Sequence, residues 1–539
     1  MTHPSPSDAP TGHGAGRGEL PRCAGVLLPL FSMVSSRSWG IGDIGDMAAL
    51  APWLRDAGMR ALQILPVNDM ATGQSSPYSA LTAMATDPIY IAVDHVDAVA
   101  SGAVQLDDDE SARLEAVRQS PRVDYVSVRA LKMAVLARAF RHFVVHDWEP
   151  GAPAAGALQA FIGDEAWWLD DYVLFRVLHD EHQARPWWDW PGALATRDPE
   201  AIAAARLEHA DALLFTQWLQ WHAHSQWRQA RQDLAGIALI GDLPFMVSSD
   251  SADVWAHQEL FSRDATVGTP PDAFSATGQD WGLPVYRWDV VARTDFAWLR
   301  ARGRRAASMF DAYRVDHLVG FYRTYNRPVD GGAPYFVPAD EPEQRWLGET
   351  VLDAFRSAGA AIIAEDLGTI PDFVRESLDR LGVPGYRVLR WEREWHTPGQ
   401  PFRDPAAYPR ASLATTGTHD TDMLASWWDT APHDERAAVL ALPPLAWRGH
   451  SPDEPFSDRL RDAFLDVLMH AASDLVIFPL QDLFGWRDRI NVPASVGEQN
   501  WSWISPLPVD TLTADTAGRE RAATLRQMSD ASGRSTPHA

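Results

Sequence analysis

Apolar side chains come in short bursts along this chain, and the bursts follow an alternating plan. Eight runs of strand length stand at residues 25–32, 61–67, 237–244, 309–316, 361–365, 386–391, 412–416 and 474–479, most of them ending in Gly, Pro, Asp or Ser. Several are apolar throughout rather than at every second position, as parallel strands buried on both faces require. Stretches with a helical period follow most of them, at 46–57, 346–357, 371–381 and 423–429. Eight such strands with intervening helices close most economically into an α/β fold of the (β/α)8 TIM-barrel type.

The spacing of the bursts is uneven, and that locates the insertions. Residues 68–236 are too long for one crossover and carry helical patterns at 128–142 and 213–234, so they are expected to form a large, mainly helical subdomain within a barrel spanning 21–510. Residues 248–290 are rich in Pro, Gly, Asp and Trp and read as an active-site loop insertion. The polar, Pro- and Gly-rich residues 1–20 read as a disordered tail, and 511–539 as a helix near 518–528 with a polar tail, leaving no room for a C-terminal β-sandwich.

Three of the runs end in carboxylates: Tyr-Arg-Val-Asp-His at 313–317, Ala-Glu-Asp-Leu-Gly at 364–368 and Gly-Thr-His-Asp at 417–420. Asp316 and Glu365 lie 49 residues apart, Glu365 and Asp420 lie 55 apart, and each step suits one or two βα units. In a barrel the catalytic groups sit at the C-terminal ends of the strands. Two carboxylates facing one glycosidic bond, with a third nearby, equip a retaining glycosidase or transglycosidase, whose carboxyl groups stand about 5 to 5.5 Å apart.

Composition narrows the partners. With 47 basic against 72 acidic side chains the formal charge is −25, which argues against nucleic acid or an anionic membrane and suits an uncharged substrate. The single cysteine, Cys23, permits no intrachain disulfide and fits a reducing, cytoplasmic setting. No run is long enough to span a membrane; 24–34 imitates a signal segment, but Pro29 interrupts it. The 24 tryptophans raise the expectation of sugar stacking, although most serve as packing anchors. No metal-ligand spacing is visible, and no cofactor is expected.

Taken in order, further motifs join these: Gly25-Val-Leu-Leu, Trp39-Gly-Ile-Gly-Asp, Ser76-Pro-Tyr-Ser, Gly241-Asp-Leu-Pro-Phe, Asp250-Ser-Ala-Asp-Val-Trp, Gly268-Thr-Pro-Pro-Asp, Thr277-Gly-Gln-Asp-Trp-Gly-Leu-Pro-Val-Tyr, Gln481-Asp-Leu, Asn491 and Asn500-Trp-Ser-Trp. The set, from about Gly25 to Trp503, resembles the 4-α-glucanotransferases (amylomaltases, or disproportionating enzymes) of glycoside hydrolase family 77. The chain departs from that family's pattern at Trp39, at Asn68-Asp69 and at Pro493-Ala-Ser495, all in loops expected near sugar.

The resemblance implies roles. Asp316 would be the nucleophile; residues two apart in a strand share a face, so the Arg314 guanidinium would lie beside it. A structural Arg–Asp pair is the plain alternative. Glu365 would be the general acid/base, with Asp366 on the opposite face as a structural residue. Asp420 and His419 would hold the hydroxyls of the sugar being cleaved, unless Thr-His-Asp is a helix N-cap. His317 would touch a hydroxyl or else be a core histidine. Asp250, Gln279, Trp281 and Asn500 would line the cleft, with Trp39 and Trp281 as stacking candidates or packing residues. Gly268 to Arg287 would cover the site, with Phe274, Trp281 and Tyr286 supplying apolar surface.

The implied reaction moves a segment of a 1,4-α-glucan from a maltooligosaccharide or linear α-glucan donor to glucose or another maltooligosaccharide. A retaining α-glucan hydrolase would be expected to carry a β-sandwich after the barrel. A non-catalytic glucan-binding protein should have lost one of the three carboxylates.

Overall fold

The computed structural model describes residues 20–71, 73–271, 278–493, 495 and 497–536. Residues 1–19 and 537–539, Phe274 and Ala494, on which parts of the expectations above fall, lie outside the described residues.

Among the described residues twelve strands occur in chain order: β1 Cys23–Leu27, β2 Ala61–Gln63, β3 Ala238–Leu243, β4 Phe261–Thr269, β5 Gln279–Tyr286, β6 Ala312–Val315, β7 Thr324–Pro328, β8 Tyr335–Val337, β9 Ala361–Ala364, β10 Gly385–Val388, β11 Ser412–Thr415 and β12 Leu475–Pro479. Eight of them close into a parallel barrel in the order β1-β12-β11-β10-β9-β6-β3-β2. Each of the eight apolar runs contributes one barrel strand, and every residue of β1, β3, β6, β9, β11 and β12 is buried. The runs overshoot where local chemistry stops pairing. After Leu27, Pro29 offers no N–H to a neighbour and residues Leu30–Ser32 turn instead. Residues Leu389–Trp391 likewise leave β10 as a short helical turn.

Between β2 and β3 lie the helices Asp108–Gln119, Tyr125–Phe143, Pro153–Glu181, Pro199–Glu208 and Ala210–Asp233. They pack on one another through rings such as Phe140, Phe143, Phe215 and Trp218. Trp227 ties them to the barrel, donating its Nε1 hydrogen to Met309 O at 2.9 Å.

The described residues of 248–290, expected to form an active-site loop insertion, include regular strands. They contribute β4 and β5, which join β7 and β8 in a four-stranded antiparallel sheet of order β5-β4-β7-β8. Two excursions, one leaving β3 and one leaving β6, thus build one sheet at the same end of the barrel. After β12 the described residues hold only turns and the helices Leu480–Phe484 and Thr516–Ala531. Among the described residues no helix is long and apolar enough to cross a membrane.

The segment after Thr516–Ala531 closes the opposite end. Arg534, fully buried, donates to the carbonyls of Met469, Cys23, Asp474, Ala471 and Ser473 at 2.6–3.3 Å, across the β1–β12 seam. Arg22 binds Ala471, Ala472 and Ser473 beside it. Replacing Arg534 with Ala removes five buried hydrogen bonds and leaves the Met469 and Cys23 carbonyls without this donor, while Arg22 still serves Ala471 and Ser473 and Cys23 N still serves Asp474, so we expect a loss of about 3 kcal/mol in urea-unfolding stability. Arg534→Lys should recover only part of it, because an ammonium cannot reproduce the planar fork. An unchanged urea midpoint for Arg534→Ala would refute the seam-closing role.

Candidate active site

The carboxylates reach one rim because the parallel ladder continues past the strand ends. Asp316 N donates to Leu243 O at 3.0 Å, and Glu365 N donates to Val315 O at 3.1 Å. The C-terminal ends of β3, β6 and β9 are therefore level, and the residue after each of the latter two is a carboxylate. On β3 and β6, Asp242 stands in register with Arg314. The buried guanidinium donates through Nη1 to both oxygens of Asp242 at 2.9 and 2.8 Å, and its Nη2 meets Asp316 Oδ1 at 2.8 Å. One planar cation thus fixes two carboxylates, a geometry for which arginine is suited.

Glu365 is held from the same side. Its Oε2 accepts from the His317 amide at 2.8 Å. His317 has φ +41°, a left-handed conformation that non-glycine residues adopt only where surrounding structure enforces it. Burial, reinforced by the Asp316 charge and opposed by Arg314, pushes the Glu365 carboxyl up to about 7. Burial pushes His317 itself down to about 4, leaving a neutral ring between Phe245 and Trp281. Asp366 turns instead to β10, accepting from Tyr386 N at 2.7 Å and Arg387 Nη1 at 3.1 Å, and its side chain is almost wholly buried.

Asp420 follows β11. Its Oδ1 accepts from Asn491 Nδ2 at 2.6 Å, and its Oδ2 lies 3.2 Å from His419 Nε2. Burial opposes ionisation of Asp420, but His419 and Asn491 outweigh it and hold the carboxyl down at about 2. The next helix, Leu424–Thr430, has Met423 at its N-cap and no side-chain cap, which removes the capping alternative for Asp420. Tyr78, from the loop after β2, stacks on the His419 ring. Its hydroxyl donates to Asp242 Oδ2 at 2.8 Å and lies 3.2 Å from His419 Nε2. Tyr78 and Asp242 therefore join the two halves of the rim. Both stood in motifs of the sequence without a role, since nothing in spacing pairs Asp242 with a residue on another strand.

The remaining candidates divide. Trp281, on β5, meets the His317 ring edge-on at 4.7 Å between centroids, and its Nε1 donates to Gln279 Oε1 at 3.2 Å. These two belong beside the rim. Asp250 binds the helical insertion: Oδ1 accepts from Trp187 N and Oδ2 pairs with His179 Nε2, both at 3.1 Å. Two expectations need correction. Trp39 is 5% exposed and packs in the core, so it offers no open face for a sugar. Asn500 is spent on its own loop, accepting from Val492 N at 3.1 Å and donating to Ser495 O and Oγ at 3.0 and 3.1 Å. The departure at Asp69 is likewise internal: the carboxylate is buried among Arg129, Arg176 and Tyr172. Among the described residues no group of three or more His, Cys, Asp or Glu is placed to hold a metal ion.

The rim thus offers a carboxylate anchored on arginine, a neighbouring acid poised near neutrality and a third, ionised carboxylate. That set can attack, protonate and deprotonate at one carbon centre.

Comparison with known proteins agrees with this chemistry. Residues 28–508 match the glycoside hydrolase family 77 model, described as 4-alpha-glucanotransferase. A 4-alpha-glucanotransferase of Thermus thermophilus is 34% identical over 536 residues, covering 96% of this chain and 100% of the relative. One from Chlamydia caviae is 32% identical, covering 91% and 92%. Among solved structures, an amylomaltase from Streptococcus agalactiae in complex with acarbose superposes with a TM-score of 0.80 at 26% identity, covering 95% of this chain and 99% of that one.

Proposed function

Because the chain belongs to the 4-α-glucanotransferases of glycoside hydrolase family 77, we propose that it moves segments of 1,4-α-glucan by a retaining double displacement at this rim. The observation that carries the reading is the joint support of Asp316 and Glu365. The amide following the first donates to the second, and the barrel ladder levels both.

Asp316 attacks the anomeric carbon while Glu365 gives its proton to the glycosidic oxygen. The bond breaks, the departing glucan leaves with a free 4-hydroxyl, and a β-linked glycosyl ester forms on Asp316. Esterification removes the Asp316 charge, so Glu365 becomes more acidic and stays ionised. It then takes the proton from the 4-hydroxyl of an acceptor, which attacks the ester and restores the α-linkage. Arg314 orients Asp316 throughout; Asp420 and His419 hold the hydroxyls of the reacting sugar as positive charge develops on the ring.

Donors are maltooligosaccharides or linear α-glucans, and acceptors are glucose or maltooligosaccharides. Transfer is favoured over hydrolysis when water is kept from the ester, and the sheet carrying Trp281 against His317 supports that reading. A single, buried cysteine suits a cytoplasmic enzyme.

With maltotriose as sole substrate, glucose should appear together with maltopentaose and longer products. Glucose and maltose with nothing longer than the starting trisaccharide would sink the transferase reading.

A further inference from the structure

Asp482 sits in the short helix Leu480–Phe484 that follows β12, and its carboxylate is buried. A buried carboxylate is costly unless its oxygens are occupied, and both are spent on the loop of the neighbouring strand, β11. Oδ2 accepts from Thr416 Oγ1, directly after β11, and Oδ1 accepts from Leu424 N at 2.6 Å. Thr416 and Leu424 bracket the segment that delivers His419 and Asp420 to the rim. The helix Leu424–Thr430 brings no side-chain cap of its own, so an oxygen from the next barrel unit serves its first amide.

Between these two ends the segment is tightly folded. Thr418 N donates to Thr421 Oγ1 at 3.0 Å, and that hydroxyl donates back to Thr418 O at 3.1 Å. Asp420 N donates to Thr418 Oγ1 at 3.2 Å. A Cβ on Gly417 would stand 2.4 Å from Thr421 Oγ1, so the turn has no slack. Arg390 Nη2 adds one contact to Thr416 O at 3.1 Å. Arg489 Nη2 and Asn491 N donate to the carbonyls of Asp420 and His419 at 2.7 and 3.1 Å, and so hold the middle of the segment. Asp482 grips both ends, and a shift at either end is passed through the turn to Asp420.

We propose that Asp482 is a positioning residue for the transfer reaction: by holding Thr416 and Leu424 at once, it sets where the Asp420 carboxylate meets the reacting sugar. The role rests on the transferase reading and on Asp420 as the group that holds the sugar hydroxyls. It does not need a charge. Burial pushes the Asp482 carboxyl up, against the pull of Thr416, the Leu424 amide and Arg390, so a neutral side chain of the same shape suits the place. Asparagine can accept from Leu424 N through its oxygen and donate to the Thr416 hydroxyl through its nitrogen.

The test is the initial rate of fluoride release from α-maltosyl fluoride, whose reactive leaving group keeps slow variants measurable. It is run on the full chain with and without Asp420→Asn. Asp482→Ala should lower kcat roughly 30-fold or more while KM stays within about threefold, because a misplacement of about 1 Å is felt most in the transition state. Asp482→Asn should recover most of that loss, to within about threefold of the parent. In the Asp420→Asn background Asp482→Ala should cost less than about threefold, since the carboxylate it positions is already gone. Should Asp482→Ala fail to fold, Thr416→Val frees only the β11 end and carries the same comparison, with a loss of about fivefold that disappears beside Asp420→Asn. A loss of equal size in both backgrounds would overturn the proposal. So would parental activity in Asp482→Ala, or Asp482→Asn falling as far as Asp482→Ala. Failure of the transferase reading would look different: the unaltered chain would make nothing longer than maltotriose from maltotriose, whatever the Asp482 variants do.

Discussion

Asp316→Asn should lose at least about a thousandfold in turnover of maltotriose while melting like the parent. An amide of the same shape cannot form the glycosyl ester, so the first displacement has no substitute nucleophile. The fold has reason to survive the change. Arg314 keeps both of its contacts to Asp242, so the buried guanidinium remains paired, and Asp316 itself is partly open to solvent. Neither the hydrogen bond from His317 to Glu365 nor the Tyr78–Asp242–His419 chain passes through the Asp316 side chain. Glucan binding should therefore persist, and persistence separates a lost nucleophile from a collapsed site. The measurement is an initial rate paired with a thermal melt. Activity within about tenfold of the parent would remove Asp316 from the nucleophile's place and leave it as the partner of Arg314 alone.

The strands that deliver these groups were legible because each is a compact apolar run cut off by a turn former, and parallel strands need nothing subtler. Arg314 and Asp316 were legible as a pair for the same reason: two residues apart on one strand, they share a face whatever the tertiary context. Asp242 was not. Its partnership with Arg314 is a register relation between β3 and β6, set by barrel closure and separated by 72 positions in the chain. Tyr78 reaches the rim from a loop after β2 for which hydrophobic periodicity carries no signal.

The antiparallel sheet was missed for a related reason. β4 and β5 are rich in polar residues, Gly and Pro, and they become strands through pairing with each other and with β7, which comes from a different loop. Trp39 and Asn500 show the opposite error. The resemblance carried sugar-binding roles onto residues that local packing and loop hydrogen bonds engage.

Glu365→Gln should cost roughly 10²–10⁴ in turnover of maltotriose, the range for a removed general acid, and the pattern of rescue identifies what was lost. An α-maltosyl fluoride needs no proton for its leaving group, so the Glu365→Gln enzyme should still be glycosylated by it on Asp316. The ester should then persist, because no base remains to activate an acceptor, and it should show as added mass on the intact chain. In the unaltered enzyme Glu365 must enter protonated. With its carboxyl pushed up to about 7, kcat/KM should fall on the alkaline side of that value, and the limb should vanish for the fluoride donor. Stability should fall in the same direction. Burial raises the folded carboxyl above its ordinary 4.5, so the native state holds the proton more tightly than the unfolded chain does. The neutral acid is tolerated below that ordinary value, and stability drains away as pH climbs through 7. Glutamine has no charge to bury, so Glu365→Gln should match the parent at pH 5 and exceed it at pH 8 by about 1 kcal/mol. A gap of equal size at both pH values would mean that charge burial is not what separates the two proteins. Equal slowing toward maltotriose and the fluoride would take the general acid away from Glu365.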